Sequence, residues 1–131
     1  MLLLYNFQTH PSLQAMEGLA KLTGETVRHV APSEYSLPLG KLVFGPFYQP
    51  QGSPDDHLPE GTALKDSIDD PMLIFAGMEQ TKAMDLIDKM KKLGISVPLK
   101  AVITPTNQAW SSFLLYTHLK AEYDYYQSHR T

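Results

Sequence analysis

Two short apolar runs, MLLLYNF at the start of the chain and MLIFAGM beginning at Met72, each lead into a stretch of helical period that stops at a glycine. The stops read KLTG in the first case and KKLG in the second, so the whole plan recurs after a shift of about 70 residues. In the first copy Leu13, Met16, Leu19, Ala20 and Leu22 fall at helical spacing between Pro11, suited to a first helical turn, and Gly24, suited to the left-handed position past a helix end. In the second, Ala83, Leu86, Ile87 and Met90 line one face, while Asp85 precedes Lys89 by one helical turn on the other. After each stop comes another β-rich segment, Thr26 to Ala31 closed by Pro32, and Leu99 to Thr104 closed by Pro105. The spacing therefore predicts an α/β (α+β) protein: two βαβ-like halves forming one four-stranded sheet, followed by a long C-terminal helix. A pseudo-twofold relation between the halves favours the split-βαβ, ferredoxin-like arrangement; the runner-up is a small parallel doubly wound sheet.

With 131 residues, 43% hydrophobic and 19% charged, the chain has the size and composition of a single globular domain, 1–131. Its first half spans about 1–45, its second about 71–131, and a long loop, 46–70, joins them. That loop carries Pro46, Pro50, Pro54 and Pro59 among six acidic residues and has no sustained period. Just before it, GKLVFG (40–45) reads as a short strand or a packed turn. The net charge of -3 and the lack of a basic run argue against nucleic acid as a partner. With no cysteine there are no disulfides, thiolate metal sites or thiol nucleophile. MLLLY is followed too soon by Asn6, Gln8, Thr9 and His10 to build a membrane span, and a soluble cytoplasmic protein is expected.

The densest local signal is KAVITPTNQAW, 100–110. Leu99, Ala101 and Ile103 alternate with Lys100, Val102 and Thr104, and Pro105 ends the strand. Thr106 or Asn107 is then placed to cap a helix running from Gln108 to about Gln127, with Trp110 packing in its first turns. That reading is complete without a ligand. The same geometry also offers an anion site, in which free N–H groups at the helix start are joined by Lys100, Thr104, Thr106 and Asn107. Both readings stand at this level.

The final helix has more apolar surface than one face can hide. Trp110, Leu114, Thr117 and Ala121 form one stripe, and Leu115, Leu119, Tyr123 and Tyr126 form a second about a hundred degrees away. The second stripe is the interface candidate, and EYDYYQ has the composition of a contact surface. A twofold homodimer is the expected assembly.

The segment LKAVITPTNQAWSSFLLYTHLKAEY, preceded by MLIFAGMEQTKAMDLIDKMKKLGI, resembles the bacterial domain-of-unknown-function family 3783, and LLYNF with LPLGKLVFG is similar to the front part of its longer members. The resemblance is sharpest from Met72 to Tyr123, and implies a small bacterial protein without bringing an activity, a cofactor or a catalytic residue.

Catalytic constellations are absent on the residues' own terms. The histidines 10, 29, 57, 118 and 129 never fall at metal-ligating helical spacing, and Asp55-Asp56-His57 sits in the proline-rich loop. Ser111 and Ser112 lie inside a helical pattern with no nucleophile elbow. No metal, cofactor or catalytic residue is expected. The preferred reading is a non-catalytic interaction or regulatory module. The alternative is an enzyme or sensor for a small anionic metabolite held at the helix start after the fourth strand, with the 46–70 loop as its cover.

Overall fold

The computed structural model describes residues 1–49 and 62–128. In chain order these form β1 (Leu2–Tyr5), α1 (Leu13–Leu22), β2 (Val27–His29), α2 (Leu39–Phe44), β3 (Met72–Phe75), α3 (Gln80–Lys92), β4 (Leu99–Val102) and α4 (Ser112–Ser128). They divide into two compact units, each drawing on both halves of the chain: Met1–Val30 with Asp69–Val102, and Ala31–Ile68 with Ile103–Thr131. Asp55-Asp56-His57 lies outside the described residues.

The first unit holds one mixed four-stranded sheet, in the order β2-β1-β3-β4. β1 pairs in parallel with β2, β3 in parallel with β4, and the two central strands run antiparallel. The expected class is found, with two βαβ halves in one sheet and a long final helix. The strand order differs from the split arrangement, because no strand is inserted between the parallel partners of either half. It differs from the all-parallel runner-up as well, through its antiparallel centre. The register explains why. Leu2 faces Phe75 and Tyr5 faces Met72, so exchanging each residue with its counterpart about 70 positions on returns the same pairs. A twofold axis through the middle of the sheet sets the two leading strands side by side in opposite directions.

Because that axis is normal to the sheet, both crossover helices lie on one face. Leu2, Leu4, Leu73 and Phe75 point to it. They meet Met16, Leu19 and Ala20 of α1 and Ala83, Leu86 and Met90 of α3 in a single apolar cluster. Ile87, expected on the same buried stripe, packs at its margin. Fully burying each such side chain contributes about 1.5–3 kcal/mol. The alternate residues, Leu3, Tyr5, Met72 and Ile74, are fully buried too. The glycine stops act as read: Gly24 and Gly94 have φ of 76° and 73°. Asn6 and Gly77, at matching ends of β1 and β3, also turn left-handed, with φ of 61° and 67°. Asn6 holds its turn by donating to the Asp70 carbonyl at 3.1 Å.

A charged knot closes one end of this unit. Glu25 accepts from Lys82 at 2.6 Å and from the Met1 ammonium, which also donates to the Ala76 carbonyl at 2.9 Å. The Lys82 bond and then the ammonium hold the Glu25 carboxyl below its ordinary value of 4.5.

In the second unit GKLVFG is neither strand nor turn: most of it is the short helix α2, with Leu39, Gly40 and Leu42 buried. It is helical despite its β-branched and aromatic residues, and the Tyr48 ring packs so close to Gly40 that no side chain would fit there. The junction after β4 also departs from expectation. Asn107–Ala109 form one 3₁₀ turn, Trp110 is extended, and α4 starts only at Ser112. The cause is non-local: the Trp110 carbonyl accepts from Leu39 N at 2.8 Å, and Pro38 bridges Ser111. A continuous helix from Gln108 would have broken that pairing.

Candidate functional site

Lys100 lies on β4 opposite Leu73, and its ammonium donates to the Val97 carbonyl. Desolvation, and secondarily the nearby charge of Lys91, lower its pKa. Thr104 and Asn107 are brought together in the other unit. The Thr104 N–H donates to Asn107 Oδ1 at 2.8 Å, and the Asn107 N–H donates to Thr104 Oγ1 at 3.1 Å. These reciprocal bonds occupy the backbone N–H groups of Thr104 and Asn107. Thr106 is exposed and makes no capping bond. Neither Thr106 nor Asn107 is the N-cap of the last helix. That place belongs to Ser111, whose hydroxyl accepts from Leu114 N at 3.1 Å.

The exposure of α4 changes along its axis more than around it. Ser112, Leu114, Leu115, Tyr116 and Thr117 are all buried, which covers every side of the first turns. Thr117 fixes this half by donating to the Phe113 carbonyl at 2.7 Å and accepting from Lys65 N at 2.9 Å. Phe113 N donates to the Tyr35 carbonyl, and the two rings meet edge to face at 5.7 Å. Beyond Ala121 the pattern inverts, and Glu122 and every described residue from Asp124 onward are exposed. Of the expected second stripe, Leu115 is buried within the chain, Leu119 and Tyr123 are half-buried, and Tyr126 is 71% exposed. Its neighbour Tyr125 is 60% exposed.

Two further features of this unit were not visible beforehand. His118 stacks on Trp110, with ring centroids 4.5 Å apart and planes 16° from parallel, and the Nε atoms of both are buried without a hydrogen-bond partner among the described residues. The break at Trp110 makes the stack possible, and nothing local in the sequence announces it. Beside the outer half of α4 lies a hollow of about 580 Å³, lined by Thr62, His118, Ala121, Glu122, Tyr125 and Tyr126. The helical spacing of His118, Glu122 and Tyr125 was the signal that could have found it.

The charges on this stretch are unequal. Lys120 lies 4.0 Å from Asp124 and 5.5 Å from the centre of the Tyr123 ring. Glu122 has no such partner among the described residues. Among the described residues no group of three His, Asp or Glu side chains is placed to hold a metal ion, and no helix is long and apolar enough to cross a membrane.

Residues 71–126, which hold β3, α3, β4 and nearly all of α4, match the family model described as Domain of unknown function (DUF3783). No curated protein and no solved structure matches the chain.

Proposed function

We propose that the chain is a non-catalytic, cytoplasmic interaction module of bacterial origin that pairs with a second copy of itself through the outer half of α4. The observation that carries this reading is the exposure of Tyr126 and of the half-covered Leu119 and Tyr123 on a helix whose first half is buried on all sides. A helix anchored that firmly holds its outer residues in fixed positions, so a partner meets a preorganised surface. Tyrosine suits such a contact because its ring buries a large area while its hydroxyl stays hydrated at the rim. Leu119, Tyr123 and Tyr126 share one side of the helix, and a twofold axis across it brings each set against its own copy.

Sedimentation velocity at micromolar concentration is expected to report a dimer. The double substitution Leu119→Glu with Tyr123→Glu is expected to give a folded monomer with the helical circular dichroism of the parent. A wild-type chain that stays monomeric at hundreds of micromolar overturns the reading.

A further inference from the structure

We propose that the hollow beside the outer half of α4 receives the guanidinium of an arginine presented by a partner protein, held by the Glu122 carboxylate against Tyr125 and Tyr126. This deepens the reading of α4 as a contact surface and rests on it. Glu122, Tyr125 and Tyr126 stand three and four residues apart, so they project from the same side of the helix with His118 one turn earlier. The two tyrosine rings are set at 79°, with centroids 6.1 Å apart, and form two walls of a corner. Glu122 lines the same hollow.

Charge selects the occupant. The acidic neighbour Asp124 is matched by Lys120, but Glu122 has no ion-pair partner among the described residues, so the hollow joins aromatic walls to a negative charge that no described residue neutralises. An aromatic corner beside a carboxylate is complementary to an organic cation. The same helix already holds one cation in this manner, with the Lys120 ammonium over the Tyr123 ring. A guanidinium fits better than an ammonium, because its planar face stacks on a ring while its edge donates two parallel hydrogen bonds to the carboxylate. A hollow of about 580 Å³ is ample for one arginine side chain. A cation–π contact at an exposed site contributes only about 0.5–1 kcal/mol, so a free small cation binds the hollow more weakly than an arginine flanked by peptide. A protein partner adds contacts with Thr62 and Ala121, which line the same hollow.

The test is titration of the full chain, followed by NMR, with a short alanine-glycine peptide amide containing one arginine, and with the same peptide carrying citrulline, the uncharged isostere. The arginine peptide is expected to shift the resonances of Glu122, Tyr125 and Tyr126, and the citrulline peptide to leave them in place. Glu122→Gln is expected to weaken arginine-peptide binding about fivefold, and Tyr125→Ala about two- to fivefold. Neither should change the far-ultraviolet circular dichroism. Equal shifts from the two peptides, or unchanged binding in Glu122→Gln, overturn the proposal. Argininamide binding as tightly as the peptide also overturns it, by assigning the hollow to a small molecule. Sedimentation of the wild-type chain separates this outcome from the parent reading: a wild-type dimer that fails to bind the arginine peptide removes only the guanidinium site.

Discussion

Substituting alanine at Gly40 changes the sign of an ordinarily favourable mutation. Gly40 sits in the first turn of α2, where alanine gains up to about 0.8–1 kcal/mol in helix propensity over glycine. A Cβ there would stand 2.6 and 2.7 Å from Cε2 and Cε1 of Tyr48, and closer still to Cζ. Carbon atoms pack at about 3.5–4.0 Å, so the ring must retreat by about 1 Å. That ring is stacked on Phe44 at 6.0 Å and its hydroxyl is buried, so the retreat disturbs packing already made. Overpacking of this kind costs about 1–3 kcal/mol, and Gly40→Ala should therefore lose about 1–2 kcal/mol net. Urea denaturation would read this as a lower midpoint with unchanged slope. In a Tyr48→Ala background the obstruction is gone, and the same substitution should stabilise by about 0.5–1 kcal/mol. The double-mutant cycle should then give a coupling of about 1.5–3 kcal/mol. A midpoint that rises on Gly40→Ala in the wild-type background would refute the reasoning.

Further outcomes follow from individual polar contacts. The Glu25 carboxyl is held below 4.5 in the folded chain by Lys82 and the Met1 ammonium, so its contribution is complete above the unfolded value and is lost as pH falls through the folded one. Glu25→Gln should cost about 1–2 kcal/mol near neutral pH and reduce the loss of stability below pH 4.5, as measured by denaturation midpoints across the acid range. At the junction after β4, Ser111→Ala should cost about 1 kcal/mol as the true cap of α4, whereas Thr106→Ala should leave the midpoint unchanged. Asn107→Ala should also destabilise, by about 1–2 kcal/mol, through loss of its Thr104 bond.

What could be read from the sequence was whatever repeats or punctuates locally. The two strand-helix-glycine passages, the buried residues of α1 and α3 and the left-handed turns at Gly24 and Gly94 follow from side-chain period and backbone sterics. Strand order does not, since nothing in MLLLY or MLIF says which edge meets which. The helix at GKLVFG was hidden because local propensity there favours extended backbone, and the late start of α4 because its cause is the non-local Leu39–Trp110 bond. At the junction after β4 the reciprocal Thr104–Asn107 bonds are local, but the capping residue of α4, Ser111, lies further on than the sequence suggests. On α4 the composition of EYDYYQ pointed to the exposed outer half, but a helical wheel weighs only what lies around the axis. It could not register burial that fades along it.

The interleaving of the two units bears on how the chain is made. β1 is completed within the first few residues, yet its central partner β3 follows β2 by about 40 residues of other sequence. At about 5–20 residues per second, synthesis leaves one flank of LLLY open for roughly 2–8 s. During that interval an edge built of Leu2, Leu3, Leu4 and Tyr5 is a template for any other extended segment nearby. The sheet therefore cannot close until well after its first half has emerged, and the yield of native protein should depend on how quickly translation passes through the proline-rich stretch before Met72.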